Sequence, residues 1–343
     1  MDYQPLVINA SKWSNVRWFA PTGTRNKCIL ENPETNKLFY FKESKETFPS
    51  EFWSEIIAAK IGRYLGFNML DYNIGIHLGL VGCICESMVD SENEELIHGI
   101  NLLKKHIPDF EVSERPLISF QEVDKSFSNY RDFIYNFIDI MLFDSIIGNQ
   151  DRHSENWAII RSIDDINTVE NNKSRFIKWF ALFIKNHWKE IRHTSLKKLY
   201  ELNADELSLF NYQFSPIYDS GSSLGREIAE TKIEDYLQNK EELLKYIKKG
   251  RTEIRWGDSK ERMNHFELLL KIDSLKPNYL QTKVSEIVKD YKKDEVWGII
   301  QNIDNGLSDV YKDFKLSLLR KKLIFQFVYQ RINYLKEVFK IED

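Results

Sequence analysis

The sequence predicts an α+β fold in two lobes: a small, mainly β N-lobe over residues 1–88 and a large, mainly helical C-lobe over residues 89–343. Three observations carry that reading. Between residues 28 and 88, short β-rich runs alternate with turn residues, and a single helical pattern interrupts them at residues 50–66. The run Asp90-Ser91-Glu92-Asn93-Glu94-Glu95 is a polar break. Beyond it, apolar residues recur at helical spacing through most of the chain.

At 343 residues, with 42% hydrophobic and 13% aromatic content, the chain can bury a sizeable core and is not of disordered composition. A net charge of −4 gives no global attraction to nucleic acid or anionic membrane. Three cysteines do not make a disulfide framework. Cys83 and Cys85, two apart on one strand, are expected on one face as core thiols in a reducing compartment. No apolar run approaches the roughly 18 residues that span a bilayer, and no leader pattern stands at the N-terminus. A soluble cytoplasmic protein is expected.

Taken in order, Cys28-Ile29-Leu30 and Leu38-Phe39-Tyr40-Phe41-Lys42 flank the turn Asn32-Pro33-Glu34-Thr35-Asn36 and read as a hairpin. Ahead of it, Gly23 opens a polar loop whose backbone N–H groups suit a phosphate. Lys42 ends the second strand on the face of Leu38 and Tyr40. A strand-end lysine commonly extends to solvent. Here a helix with Glu51 and Glu55 in its first turns follows at once. It starts near Pro49-Ser50, carries Phe52, Ile56, Ala59, Ile61 and Leu65 as its core face, and stops at Gly66. Glu55 lies deeper and is the better partner for Lys42. Residues 71–88 suit a second hairpin that completes a small sheet.

The centre of the chain is Gly148-Asn149-Gln150-Asp151-Arg152-His153-Ser154-Glu155-Asn156-Trp157. An apolar helix over residues 130–147 runs into it and a strand-like segment, residues 157–160, leaves it. Asp151 and Asn156 stand at the D-x-x-x-x-N spacing with which protein kinases place a catalytic aspartate and a metal-binding asparagine. Further on, Asp219-Ser220-Gly221 has the D-x-G arrangement of a second metal-binding aspartate. Either pattern alone also describes an ordinary turn. Their order behind Gly23, Lys42 and Glu55 gives them weight. Between them, residues 161–212 form a basic stretch, with eight Lys or Arg against the single acid Glu190 from Lys173 to Lys198. Phe176, Trp179, Phe180, Phe183 and Trp188 interleave there as an amphipathic helix would require. From Glu227 on, helices are expected at 236–248, 260–271, 283–291 and 316–339, with no chemistry of their own.

On Gly23-Thr24-Arg25-Asn26-Lys27, Lys42, Glu55, the run from Ile146 through Asp151 to Asn156, and Ser215-Pro216-Ile217-Tyr218-Asp219, the sequence resembles the HipA-like family of bacterial serine/threonine kinases. The resemblance implies a bilobal protein-kinase-like fold that uses ATP and Mg²⁺. It implies that Asp151 orients or deprotonates the acceptor hydroxyl, and that Asn156 and Asp219 are catalytic metal ligands. Lys42 would grip phosphates and Glu55 would fix Lys42. Gly23, Thr24 and Lys27 would cradle phosphates, Glu86 and Met88 would face adenine, and His153 would brace the loop. The implied acceptor is a serine or threonine of a protein, and the implied partner is an antitoxin, with this chain as the toxin.

The familiar toxin kinases carry an additional N-terminal domain, so a compact form of the family is expected. Their autophosphorylated serine falls on Ala20 here, which leaves Thr22 and Thr24 as candidate sites. Asp-Arg-His-x-x-Asn is also similar to lipid kinases, so a lipid or small-molecule kinase is one alternative. A nucleotide-binding pseudokinase serving as an interaction module is another, and the complete residue set argues against it. A nucleic-acid binder using the basic stretch is a third. The preferred role for residues 173–198 is docking of an acidic acceptor protein through Lys178, Lys185, Lys189 and Arg192, with no membrane partner and no direct nucleic-acid contact.

Overall fold

In the computed structural model, the residues described are 3–16, 27–90, 93–107, 118–128, 130–163, 182–187, 191 and 210–342. The N-terminal part is built on β1 (Val7–Asn9), β2 (Ser14–Asn15), β3 (Lys27–Glu31), β4 (Leu38–Lys42), α1 (Glu51–Tyr64), β5 (Asn73–His77) and β6 (Leu80–Glu86). These strands form one sheet in the order β1-β5-β6-β4-β3-β2. Both expected hairpins are present: β3 pairs antiparallel with β4, and β5 with β6 through a turn at Leu78 and Gly79, both at positive φ. β1 was not expected. It pairs parallel with β5, placing Val7 opposite Ile74, a contact no local pattern announces.

The sheet has two apolar faces, by the two-residue period of its strands. Ala10, Leu30, Phe41 and Ile84 pack on one side. Cys83 and Cys85 point to the other, into the core shared with α1. All three cysteines are free thiols, and burial pushes the Cys85 thiol up to about 12. Helix α1 starts after Ser50, whose side chain makes no cap bond, and ends at Tyr64, two residues before Gly66 at φ 84°. It is buried from Glu51 to Gly62 on every side, because the sheet covers one face and the helical part covers the other.

The larger part opens on β7 (Glu94–His98), α2 (Gly99–His106), α3 (Phe120–Ser126), α4 (Phe133–Ile147), β8 (Ala158–Ile163) and β9 (Phe210–Phe214). β7, β8 and β9 make a second, antiparallel sheet. Its first strand takes up the end of the segment expected as a plain polar linker, because Arg161 on β8 supplies an ion pair for Glu95. α3 begins with a capping box between Ser119 and Glu122. Of the basic stretch 161–212, residues 161–163 and 210–212 belong to strands, and within the amphipathic helix expected at 173–198 the described residues 182–187 are helical. Lys178, Lys189 and Arg192 lie outside the described residues, and Lys185 is exposed on the helical turn.

Six further helices follow: α5 (Ile233–Gln238), α6 (Lys240–Lys249), α7 (His265–Leu275), α8 (Tyr279–Asp290), α9 (Lys293–Gln301) and α10 (Leu318–Phe339). α10 is the strut of this part and packs against α4 and each of α5 to α9. No helix among the described residues is long and apolar enough to cross a membrane.

The last helix, α10, has a structural tie to the end of α4. Arg331 is buried and donates from NH1 to the Ser145 carbonyl at 3.1 Å, capping the C-terminal end of α4. Beside it His265, buried at the start of α7, is held down to about 3 by burial and then by the Arg331 charge. A histidine neutral when folded but ordinary near 6.5 when unfolded binds more protons unfolded, so stability falls as pH drops through that window. We expect a loss on the order of 4 kcal/mol between pH 6.5 and 3 from this residue. Urea titrations across pH should show a flatter acid limb in His265→Gln, and an unchanged limb removes His265 as its source.

Candidate active site

Lys42 ends β4 opposite Cys83, so its side chain leaves the sheet on the α1 side. There Nζ donates to Glu55 Oε1 and, at 2.6 Å, to Asp219 Oδ1. Glu55 is fully buried, and its Oε2 accepts the backbone N–H of Ser220 at 2.7 Å. One buried glutamate therefore ties the strand lysine to the D-x-G segment. Such a pair is costly to break, since removing either partner leaves an uncompensated buried charge.

Asp219 arrives at Lys42 because its approach is stitched to the N-terminal part. Ile217 donates its N–H to Asn68 O at 2.8 Å, and Leu70 donates its N–H to Ile217 O at 3.0 Å. Asp219 itself has φ of 55°, a left-handed conformation that aspartate tolerates better than most residues. Past it, Leu224 donates its N–H to Ile147 O at 2.9 Å, which ties the D-x-G segment to the end of α4.

Gly221 meets a packing requirement. A Cβ there would lie 2.9 Å from Glu55 Oε1. Gly221→Ala is expected to push Glu55 off Lys42 and to cost about 1–3 kcal/mol of stability. Thermal melts of this variant check the loss, and a wild-type melting temperature would show that the approach is not limiting.

The loop after α4 begins at Gly148, whose φ of 70° ends the helix in a left-handed cap. A side chain is excluded there also by Arg331, whose NH2 lies 2.6 Å from where a Cβ would stand. Asp151 is half-buried, and its carbonyl accepts Asn156 Nδ2 at 2.7 Å and the His153 N–H at 3.0 Å. Its carboxylate Oδ2 accepts the Ser222 hydroxyl at 3.3 Å. Asn156 spends its amide N–H on the loop, which leaves its amide oxygen as a ligand. His153 Nδ1 accepts the Glu155 N–H at 3.3 Å, so this ring braces the turn.

Of the other expected residues, Lys27 starts β3 directly opposite Lys42. Glu86 ends β6 and pairs with Lys37 at 2.6 Å on the open side of the sheet. Met88 follows on the strand exit, where Ser87 donates its N–H to Leu38 O at 2.8 Å. Gly23 and Thr24 lie outside the described residues, as do Ala20 and Thr22.

Sequence reasoning missed four groups at this site. Arg152 and Asp144 form a buried ion pair at 2.8 Å. Asp144 gave a signal, as a carboxylate set among Leu142, Phe143, Ile146 and Ile147 just ahead of Gly148. Ser222 sits on Asp151 as described. His98, at the end of β7, places Nδ1 3.0 Å from Glu155 O and 3.1 Å from the Tyr218 hydroxyl, and burial lowers its pKa.

No family model matches the chain, and no curated protein matches it in sequence. Solved structures do match. The proinflammatory kinase CtkA of Helicobacter pylori superposes with a TM-score of 0.68 at 17% identity, over 98% of this chain and 100% of that one. HipA of Shewanella oneidensis MR-1, from a toxin–antitoxin complex with HipB and operator DNA, gives a TM-score of 0.49 at 12% identity. That match covers 95% of this chain and 68% of HipA, and it is too loose to carry an argument. The CtkA likeness shows the fold: this chain has the mixed α+β, two-part fold of a kinase, with a curled sheet ahead of a helical body.

Proposed function

We propose that the chain is an ATP-dependent protein kinase of the HipA-like type, transferring the γ-phosphoryl group of ATP to a serine or threonine hydroxyl. The observation that supports it best is the meeting of Lys42, Glu55 and Asp219 in one hydrogen-bonded set, although they lie far apart in sequence. Such a set is what phosphoryl transfer asks of a protein: positioned charge and little covalent chemistry. The serine/threonine acceptor and the toxin role with an antitoxin partner come from the family resemblance, and the cytoplasmic location from the cysteine usage.

In this reading Lys42, held by Glu55, grips the phosphates; a phosphate-binding role for Gly23, Thr24 and Lys27 comes from the family resemblance. Glu86 and Met88 lie at the strand exit that would face adenine. Asp151 receives the proton of the acceptor hydroxyl as its oxygen bonds to phosphorus and the bond to the bridging oxygen of ADP breaks. Ser222 engages Oδ2 of Asp151 and steadies that carboxylate, so Oδ1 remains to take the proton.

Asn156 and Asp219 fit Mg²⁺: both offer hard oxygen ligands, and two protein ligands are what this cation takes when phosphates and water complete its shell. When bound, it neutralises charge on the phosphates. Asn156 is oriented for this by the Asp151 carbonyl, and Asp219 by Lys42.

The test is incubation of the purified chain with γ-labelled ATP, Mg²⁺ and a cell lysate. Label on serine or threonine of a protein is the expected result. Label in lipid or small molecules instead would move the acceptor class, and no transfer at all would overturn the kinase reading.

A further inference from the structure

Arg152 is completely buried, although it stands inside a polar catalytic loop. Its guanidinium has five N–H groups, and each has an acceptor. Nε donates to Asp144 Oδ2 at 3.0 Å, and NH2 donates to Asp144 Oδ1 at 2.8 Å and to Ser220 Oγ at 3.2 Å. NH1 donates to Asn156 O at 2.9 Å and to Tyr218 O. These acceptors belong to three places: the end of α4, the loop itself, and the segment around Asp219, which lies far away in sequence. Asn156 is one proposed metal ligand, and Tyr218 and Ser220 are the neighbours on either side of the other, Asp219.

We propose that Arg152, anchored by Asp144, is the positioning residue that sets the spacing of Asn156 and Asp219 and thereby tunes their hold on Mg²⁺. The inference rests on the kinase reading above. Asp144 lies on α4, whose last two turns are buried, and it also accepts Asn149 Nδ2 at 3.1 Å. The rigidity of the core therefore passes through one carboxylate and one planar fork to both ligands. A lysine cannot replace it, since an ammonium has three donors and no fixed plane. Nor does Arg152 act on phosphate directly, because no part of its side chain reaches solvent. It acts through the ligands it holds, as residues behind a metal's ligands generally do.

The experiment uses the full chain as wild type, Arg152→Lys, Asp144→Asn and Ser220→Ala, with two readouts. Calorimetry measures ATP binding with Mg²⁺ titrated and again with the metal chelated. Hydrogen exchange of the free protein follows residues 150–157 and 216–222. Arg152→Lys should raise the Mg²⁺ requirement about 10–100-fold and leave metal-free ATP binding unchanged. Asp144→Asn should act in the same direction. Ser220→Ala, which removes a single acceptor, should shift it about fivefold. Exchange should quicken in both segments together.

A Mg²⁺ requirement equal to wild type in Arg152→Lys overturns the proposal, as does faster exchange in one segment alone. Equal loss of metal-free and metal-dependent binding would make Arg152 a general brace, which also overturns it. If Arg152→Lys does not fold, the shift in Ser220→Ala decides, and its absence counts against the clamp. Wild type without Mg²⁺-dependent ATP binding would sink the kinase reading instead, and the exchange data then decide whether both segments hang on Arg152.

Discussion

Asp151→Asn should lower phosphoryl transfer about a thousandfold, or roughly 4 kcal/mol of barrier, while ATP binding and thermal stability stay close to wild type. The substitution keeps the shape of the side chain and both backbone contacts, the N–H to Asn149 Oδ1 at 3.2 Å and the carbonyl to Asn156. Among the described residues Oδ2 of Asp151 accepts the Ser222 hydroxyl, which an amide oxygen also accepts. What is lost is the negative charge that receives the acceptor's proton. Single-turnover assays with saturating ATP isolate this step. Turnover within about tenfold of wild type, roughly 1.4 kcal/mol, removes Asp151 from the role.

Asp219→Asn should lower transfer by about 100-fold or more and abolish most of the Mg²⁺-dependent gain in ATP affinity. Asparagine is the informative replacement, because it tolerates the left-handed backbone at φ 55°, where alanine would add strain of its own. Lys42 keeps its ion pair with Glu55, and the Ser220 N–H still caps Glu55, so the fold around the lysine survives. Any loss then reports the carboxylate charge at the metal position. Calorimetry with and without Mg²⁺ measures it, and equal affinities for wild type and variant in both conditions would exclude Asp219 as a ligand.

Much of this site was legible in the sequence because its signals are local. Turn residues set both N-terminal hairpins, Ser50 and Gly66 bracket α1, and Gly148 ends α4, each through backbone preferences that need no distant partner. Strand, helix and loop position together with order along the chain singled out Lys42, Glu55, Asp151, Asn156 and Asp219. The sheet of β7, β8 and β9 was not legible, since its strands are short and lie far apart in the chain. Nor was β1, whose pairing with β5 depends on a contact across 67 residues.

The sequence by itself determined which residues carry charge and which turns can form, because these follow from side-chain chemistry and nearest-neighbour sterics. Only the tertiary structure decided that Lys42 holds Glu55 and Asp219 at once, that Arg152 is buried on Asp144, and that Arg331 of the last helix caps α4 behind Gly148. The reason is physical. A buried charge persists only where a partner from another element meets it, and that meeting depends on the packing of the whole core, not on spacing along the chain.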